Sequence, residues 1–137
     1  MYLTYEEYTS MGGTLTETQF DDYEFSAENE VNWYTFNRLS KVTEYPEALK
    51  RCMFQLIKIL QAVDVVGTQA VIDPSTSNKA VTSQSNDGVS ISYNVTSASD
   101  IVSQSQTNIK NCINKYLQGV TDSLGRNLLY RGLYPNE

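Results

Sequence analysis

The chain has 137 residues, 40% hydrophobic and 19% charged, a mix that builds a folded core of its own and needs no disulfide or metal staple. Lys and Arg number 10 against 16 Asp and Glu, for a net charge of −6, which is the wrong sign for gripping a phosphate backbone. With no histidine anywhere, imidazole bases, His-containing triads and His-bearing metal sites are excluded.

The charge is uneven. Residues 1–39 hold eight acids (Glu6, Glu7, Glu17, Asp21, Asp22, Glu24, Glu28, Glu30) against Arg38 alone, and the remainder is close to neutral. This reads either as a solvated helix face or as an acidic end that steers partners. No apolar run approaches the roughly 20 residues of a membrane span, and no basic segment precedes an apolar one as in a secretory leader. The expectation is a protein that stays in the compartment where it is made.

Thr4 and Glu7 form a capping-box pattern, with Leu3 and Tyr8 as its hydrophobic staple. The spacing predicts a short helix over about 4–12, stopped by Gly12-Gly13. The signature repeats in Thr16 and Gln19, stapled by Leu15 and Phe20, and starts a long helix over about 16–40. Phe20, Tyr23, Ala27, Val31 and Tyr34 mark its inner stripe, while Phe25, Trp33 and Phe36 lie off it. Those three aromatics either complete the core or pack a second subunit.

Pro46 opens a third helix over about 46–67, with Leu49, Cys52, Met53, Leu56, Ile57, Leu60 and Val63 on one stripe and Gly67 as the expected end. Cys52 on that stripe reads as a small buried hydrophobe rather than a reactive thiol. Residues 73–99 turn rich in Ser and Thr, but Val89, Ile91 and Tyr93 alternate with polar residues as in a strand. Val81 and Ser83 begin a weaker counterpart, so a hairpin or loop over about 79–95, turning at Asp87-Gly88, is expected to protrude and to want a partner.

A last helix over about 98–119 carries Ile101, Val102, Ile109, Cys112, Ile113, Tyr116, Leu117 and Val120 inward. The two cysteines form no C-x-x-C unit and read as reduced thiols. The tail, 120–137, holds the apolar run Leu128-Leu129-Tyr130-Arg131-Gly132-Leu133 and is built to dock, on its own body or on another chain. The whole is thus one mainly α domain over 1–137, a small four-helix bundle with a protruding hairpin between helices three and four and an extended tail.

Taken in order, these features resemble the head–tail connector (adaptor) proteins of long-tailed double-stranded DNA bacteriophages and prophages. The resemblance is carried by Tyr2-Leu3-Thr4-Tyr5-Glu6-Glu7-Tyr8 before Gly12-Gly13, by Tyr34-Thr35-Phe36-Asn37-Arg38-Leu39, by Val81 to Ser85 leading into Gly88 to Tyr93, and by Leu128 to Leu133. It spans nearly the whole chain, and Gln84 departs from it, standing where an acidic residue is expected.

The resemblance implies a non-enzymatic virion protein of the head–tail neck, assembled in the bacterial cytoplasm, with no catalytic residue, cofactor, metal or membrane contact. It implies a dodecameric ring beneath the portal protein that extends the DNA channel, lets DNA pass without specific binding and offers its far face to downstream neck or tail proteins. In that frame Phe25, Trp33 and Phe36 are the subunit interface. Val81, Asp87, Gly88, Val89, Ile91 and Tyr93 form the channel or neighbour loop, and Leu128, Leu129, Tyr130, Arg131 and Leu133 the portal-docking segment. Competing expectations are a head-closure or tail-completion protein and a DNA-packaging accessory protein, the latter lacking a basic helix. A carboxylate-only nuclease built on Asp21, Asp22 and Glu24 is the other class, but consecutive helix positions diverge by about 100°.

Overall fold

Two threonines start the first two helices, and each does so with the same pair of hydrogen bonds. In the computed structural model, which describes residues 1–72, 83–86, 89–92 and 98–135, Thr4 caps α1 (Tyr5–Ser10) and Thr16 caps α2 (Glu17–Tyr34). The Thr4 hydroxyl accepts the Glu7 N–H at 3.2 Å, and the Glu7 carboxylate accepts the Thr4 N–H at 3.1 Å. Thr16 and Gln19 repeat the exchange at 3.4 and 3.2 Å. Both staples close as well, since Leu3, Tyr8, Leu15 and Phe20 are all buried.

Tyr8 also organises the turn between the two helices. Its hydroxyl accepts the N–H groups of Thr14 and Leu15, both at 3.3 Å. Its ring lies so close to Gly13 that a Cβ there would sit 2.1 Å from it. Gly12, at φ 94°, supplies the left-handed residue that reverses the chain.

The second helix ends earlier than its periodicity suggests, at Tyr34 rather than near residue 40. Phe36 and Asn37 both adopt positive φ, 54° and 56°, and the chain re-forms as a 3₁₀ turn over Arg38–Lys41. Asn tolerates this conformation; an aromatic residue does so at a cost. Burial offsets that cost, because the break turns Arg38 and Leu39 inward, and both leave solvent almost completely.

Helix α3 (Glu47–Ile72) is the centre of the molecule, packed by α2 and by α4 (Ala98–Leu117). Residues 52–59 are buried on every side of it, beyond the single stripe that the sequence suggests. Gly67 does not end this helix. A mid-helix glycine costs about 1 kcal/mol relative to alanine, which does not outweigh continuing hydrogen bonds on either side. Lys58 lies within this buried stretch with its ammonium 4.2 Å from the Phe54 ring centre, its alkyl stem in the core.

The mainly α, four-helix reading therefore holds among the described residues. The backbone of β1 (Ser83–Asn86) pairs antiparallel with β2 (Val89–Ser92), Ser83 opposite Ser92 and Asn86 opposite Val89. Of the loop residues singled out from the sequence, Val81, Asp87, Gly88 and Tyr93 lie outside the described residues, as do the side chains of Val89 and Ile91.

Candidate functional site at the end of the second helix

Arg38 is 4% exposed and carries a permanent charge, so its burial demands partners. The tail provides them from its backbone. One guanidinium nitrogen, Nη1, donates to the carbonyls of Leu128 (3.2 Å) and Tyr130 (2.5 Å), with a longer contact to Asn127 (3.4 Å). The other, Nη2, donates to Gly132 at 2.8 Å. The rings of Phe36 and Tyr134 lie 5.2 and 5.0 Å from the planar group. Four carbonyl dipoles and two π faces thus surround one cation.

The tail that presents those carbonyls has its own framework. Leu128 donates its N–H to Val120 (3.2 Å), and Thr121 bridges to Asn127. Asp122 closes the turn: its carboxylate accepts the N–H groups of Leu124 and Arg126, both at 2.9 Å, and the Arg126 side chain at 2.6 Å. Burial pushes the Asp122 carboxyl up, but the Arg126 and Leu124 hydrogen bonds outweigh it, and the group titrates below the ordinary aspartate range. The Tyr134 hydroxyl accepts the Asn127 N–H at 2.8 Å, and Tyr130 packs its ring on Tyr134 at 4.9 Å. Gly132 lies close under the Tyr130 ring, which a Cβ there would meet at 2.5 Å and push aside.

This arrangement corrects one expectation and divides another. Leu128 is not a docking residue; it is 1% exposed and belongs to the protein's own core, because the Val120 and Arg38 contacts turn it inward. Leu129 packs partly against the same core, whereas Tyr130, Arg131 and Leu133 face outward, Leu133 at 86% exposure. Of the three aromatics off the inner stripe, none joins the core: Phe25 is 67% exposed, Trp33 77% and Phe36 51%.

Trp33 and Phe36 come together with Asn32, Tyr34, Asn37 and Arg131 around an open groove of about 690 Å³. Two segments chosen separately from the sequence therefore meet at one place, the end of α2 and the tail. Phe25 stands apart, eight residues or about 12 Å along the helix from Trp33, and does not line the groove. The residue that joins the two segments, Arg38, stands out in the sequence only as the lone base of an acidic stretch. That isolation is the available signal, because a lone base that leaves solvent must be met by acceptors.

No group of three or more potential metal ligands occurs among the described residues, and no described helix is long and apolar enough to cross a membrane. Glu24 is buried, with its carboxylate accepting the Tyr2 N–H at 2.7 Å, so it does not share a cleft with Asp21 and Asp22. The groove presents two exposed rings, amide side chains and a cation. The chain matches no family model, no curated protein and no solved structure.

Proposed function

We propose that this protein is a structural subunit of a bacteriophage neck, a connector that assembles as a ring beneath the portal, extends the DNA channel and receives the next neck or tail protein. The observation that carries the reading is the groove lined by Trp33, Phe36 and Arg131 beside Arg38, with Leu133 exposed on the same tail. Aromatic residues and arginine are the residue types that dominate interface centres, and large apolar side chains left this exposed on a rigid frame favour a protein partner. Its position at one end of α2, away from Phe25, favours two distinct patches per subunit, as a ring with head-to-tail contacts requires. The net charge of −6 suits a channel through which DNA slides without being held. In this reading the hairpin over 79–95 protrudes toward the channel or a neighbour, and the protein resides in the virion neck after assembly in the host cytoplasm.

The experiment is solution mass by light scattering, with and without the portal ring of the same phage. The expected outcome is a shift to a ring-sized species on the portal. Trp33→Ala and Leu133→Ala reduce that shift at least tenfold in affinity while leaving the circular dichroism spectrum unchanged. Cutting the tail before Leu128 is the wrong test, since it removes a core residue and the acceptors of Arg38. A chain that stays monomeric and ignores the portal overturns the placement beneath it.

A further inference from the structure

Phe25 is the aromatic off the inner stripe of α2 that the groove does not use, and it stands largely exposed. Asp21 and Asp22, four and three residues before it, lie one helical turn back on its side, and both are exposed. The groove has the opposite character: the exposed rings of Trp33 and Phe36 with Arg131 beside them. None of Asp21, Asp22 and Arg131 enters an ion pair among the described residues. One patch is thus an aromatic ring collared by two unpaired anions, and the other an aromatic cleft beside an unpaired cation.

These two patches complement each other but cannot meet within one chain. Both are carried by α2 or by the tail strapped to its end, and eight residues of unbroken helix hold Phe25 about 12 Å from Trp33. We infer that the groove takes the Phe25 patch of a second copy of this chain. The Phe25 ring enters between Trp33 and Phe36 of the neighbouring copy, and Asp21 and Asp22 meet its Arg131.

Charge selects this occupant. At a net charge of −6 two copies repel each other on average, so a self-contact needs a local reversal of sign, which Arg131 supplies at the groove. The rings contribute the affinity through buried area and stacking, and a guanidinium–carboxylate pair beside them fixes the register. This contact rests on the reading of the groove as an interface and names its occupant, but it requires no portal.

The test is light scattering of the full chain over a concentration series, without the portal. The wild-type chain should gain mass as concentration rises, and Phe25→Ala and Trp33→Ala should each weaken the association about tenfold or more. Charge reversal then identifies the two surfaces. The Arg131→Glu chain alone and the Asp21→Lys/Asp22→Lys chain alone should each stay monomeric, since each sets like charges against each other across the contact. Their equimolar mixture should associate as the wild type does, because every groove then meets a collar of opposite sign on the other chain. All five positions are exposed, and an unchanged circular dichroism spectrum verifies the fold of each variant.

A wild-type chain that stays monomeric throughout, reversed chains that associate alone, or a mixture that stays monomeric would each overturn the inference. The neck reading is decided on the portal instead. A ring that forms there from Phe25→Ala chains leaves that reading standing and removes this contact, whereas self-association by a chain that ignores the portal does the reverse.

Discussion

The two ends of the described chain are fastened to the central helices by opposite means. The segment before α2 is held by side chains: Tyr2, Leu3, Tyr8 and Leu15 are all buried. Its backbone contributes N–H groups, Tyr2 and Leu3, which the Glu24 carboxylate accepts at 2.7 and 3.5 Å. The segment after α4 buries one large apolar side chain completely, Leu128, and is held mainly by carbonyls around the Arg38 guanidinium. An anion reads amide donors at one end; a cation reads amide acceptors at the other. The first end is part of the core and the second is attached to it, so perturbing them should give different kinds of loss.

The largest effect is expected at the first end. Tyr8→Ala removes a fully packed ring, its contacts with Phe20 and Phe54 at 4.9 and 5.5 Å, and the acceptor for two turn amides. A loss of about 3–5 kcal/mol, shared by the whole protein, should appear as a lower urea midpoint with one cooperative transition.

Arg38→Met should cost less, about 2–4 kcal/mol, by leaving buried carbonyls unmet. Hydrogen exchange should show the Leu128 and Tyr130 amides opening well before those of α3. If α3 opens with them, the tail is as integral as the first segment and the contrast fails. Arg38→Lys should restore only part of the protection, because an ammonium cannot span carbonyls from Leu128 to Gly132 with a planar fork.

Acid should separate Glu24 from Asp122 by sign. Burial raises the Glu24 carboxyl above the ordinary glutamate range. Its contribution is therefore complete below the unfolded value and is lost as pH rises through the raised folded one. Asp122 is lowered, so its contribution is present above the unfolded value and is lost as pH falls through the folded one. On acidification from neutral pH, the Glu24 contribution should grow while the 122–126 turn loosens, and the pair of Glu7 in α1 with Lys50, its carboxyl held low by the Lys50 hydrogen bond, weakens with the turn. Carboxyl titrations by NMR would check the order of the midpoints, and Glu24→Gln should abolish the first effect while leaving the second.

Phe36→Gly should have the smallest effect on stability, a gain of about 0.5–1 kcal/mol from relief of a left-handed backbone, set against the lost stacking on Arg38. A net loss instead would mean that the ring is a major support of the cation.

Both helix starts are legible in the sequence, because a capping box is a local pattern of four residues and its partners lie within it. The inner stripes of α2 and α4 are largely legible for the same reason, since period assigns a face, but Val102, expected on the buried face of α4, is 58% exposed because it sits at the edge of that stripe beside Ile101. What is not legible depends on distant partners. The end of α2 is set by the need to turn Arg38 toward carbonyls some 90 residues later, and nothing around Phe36-Asn37 announces it. The inward turn of Leu128 comes from the same contact. The all-round burial of α3 needs neighbours on more than one side, which periodicity cannot count.

Arg38 also imposes an order on synthesis. The ribosome delivers it 90 residues ahead of the Leu128 carbonyl that it must meet, so α1, α2 and much of α3 emerge while the guanidinium still has only water around it. Contacts this distant in sequence form late and slow the final approach to the native state. The last closure of the core, Leu128 settling beneath its own strap, therefore waits for nearly the whole chain. A polypeptide released early keeps a charged group where a finished one has a sealed surface.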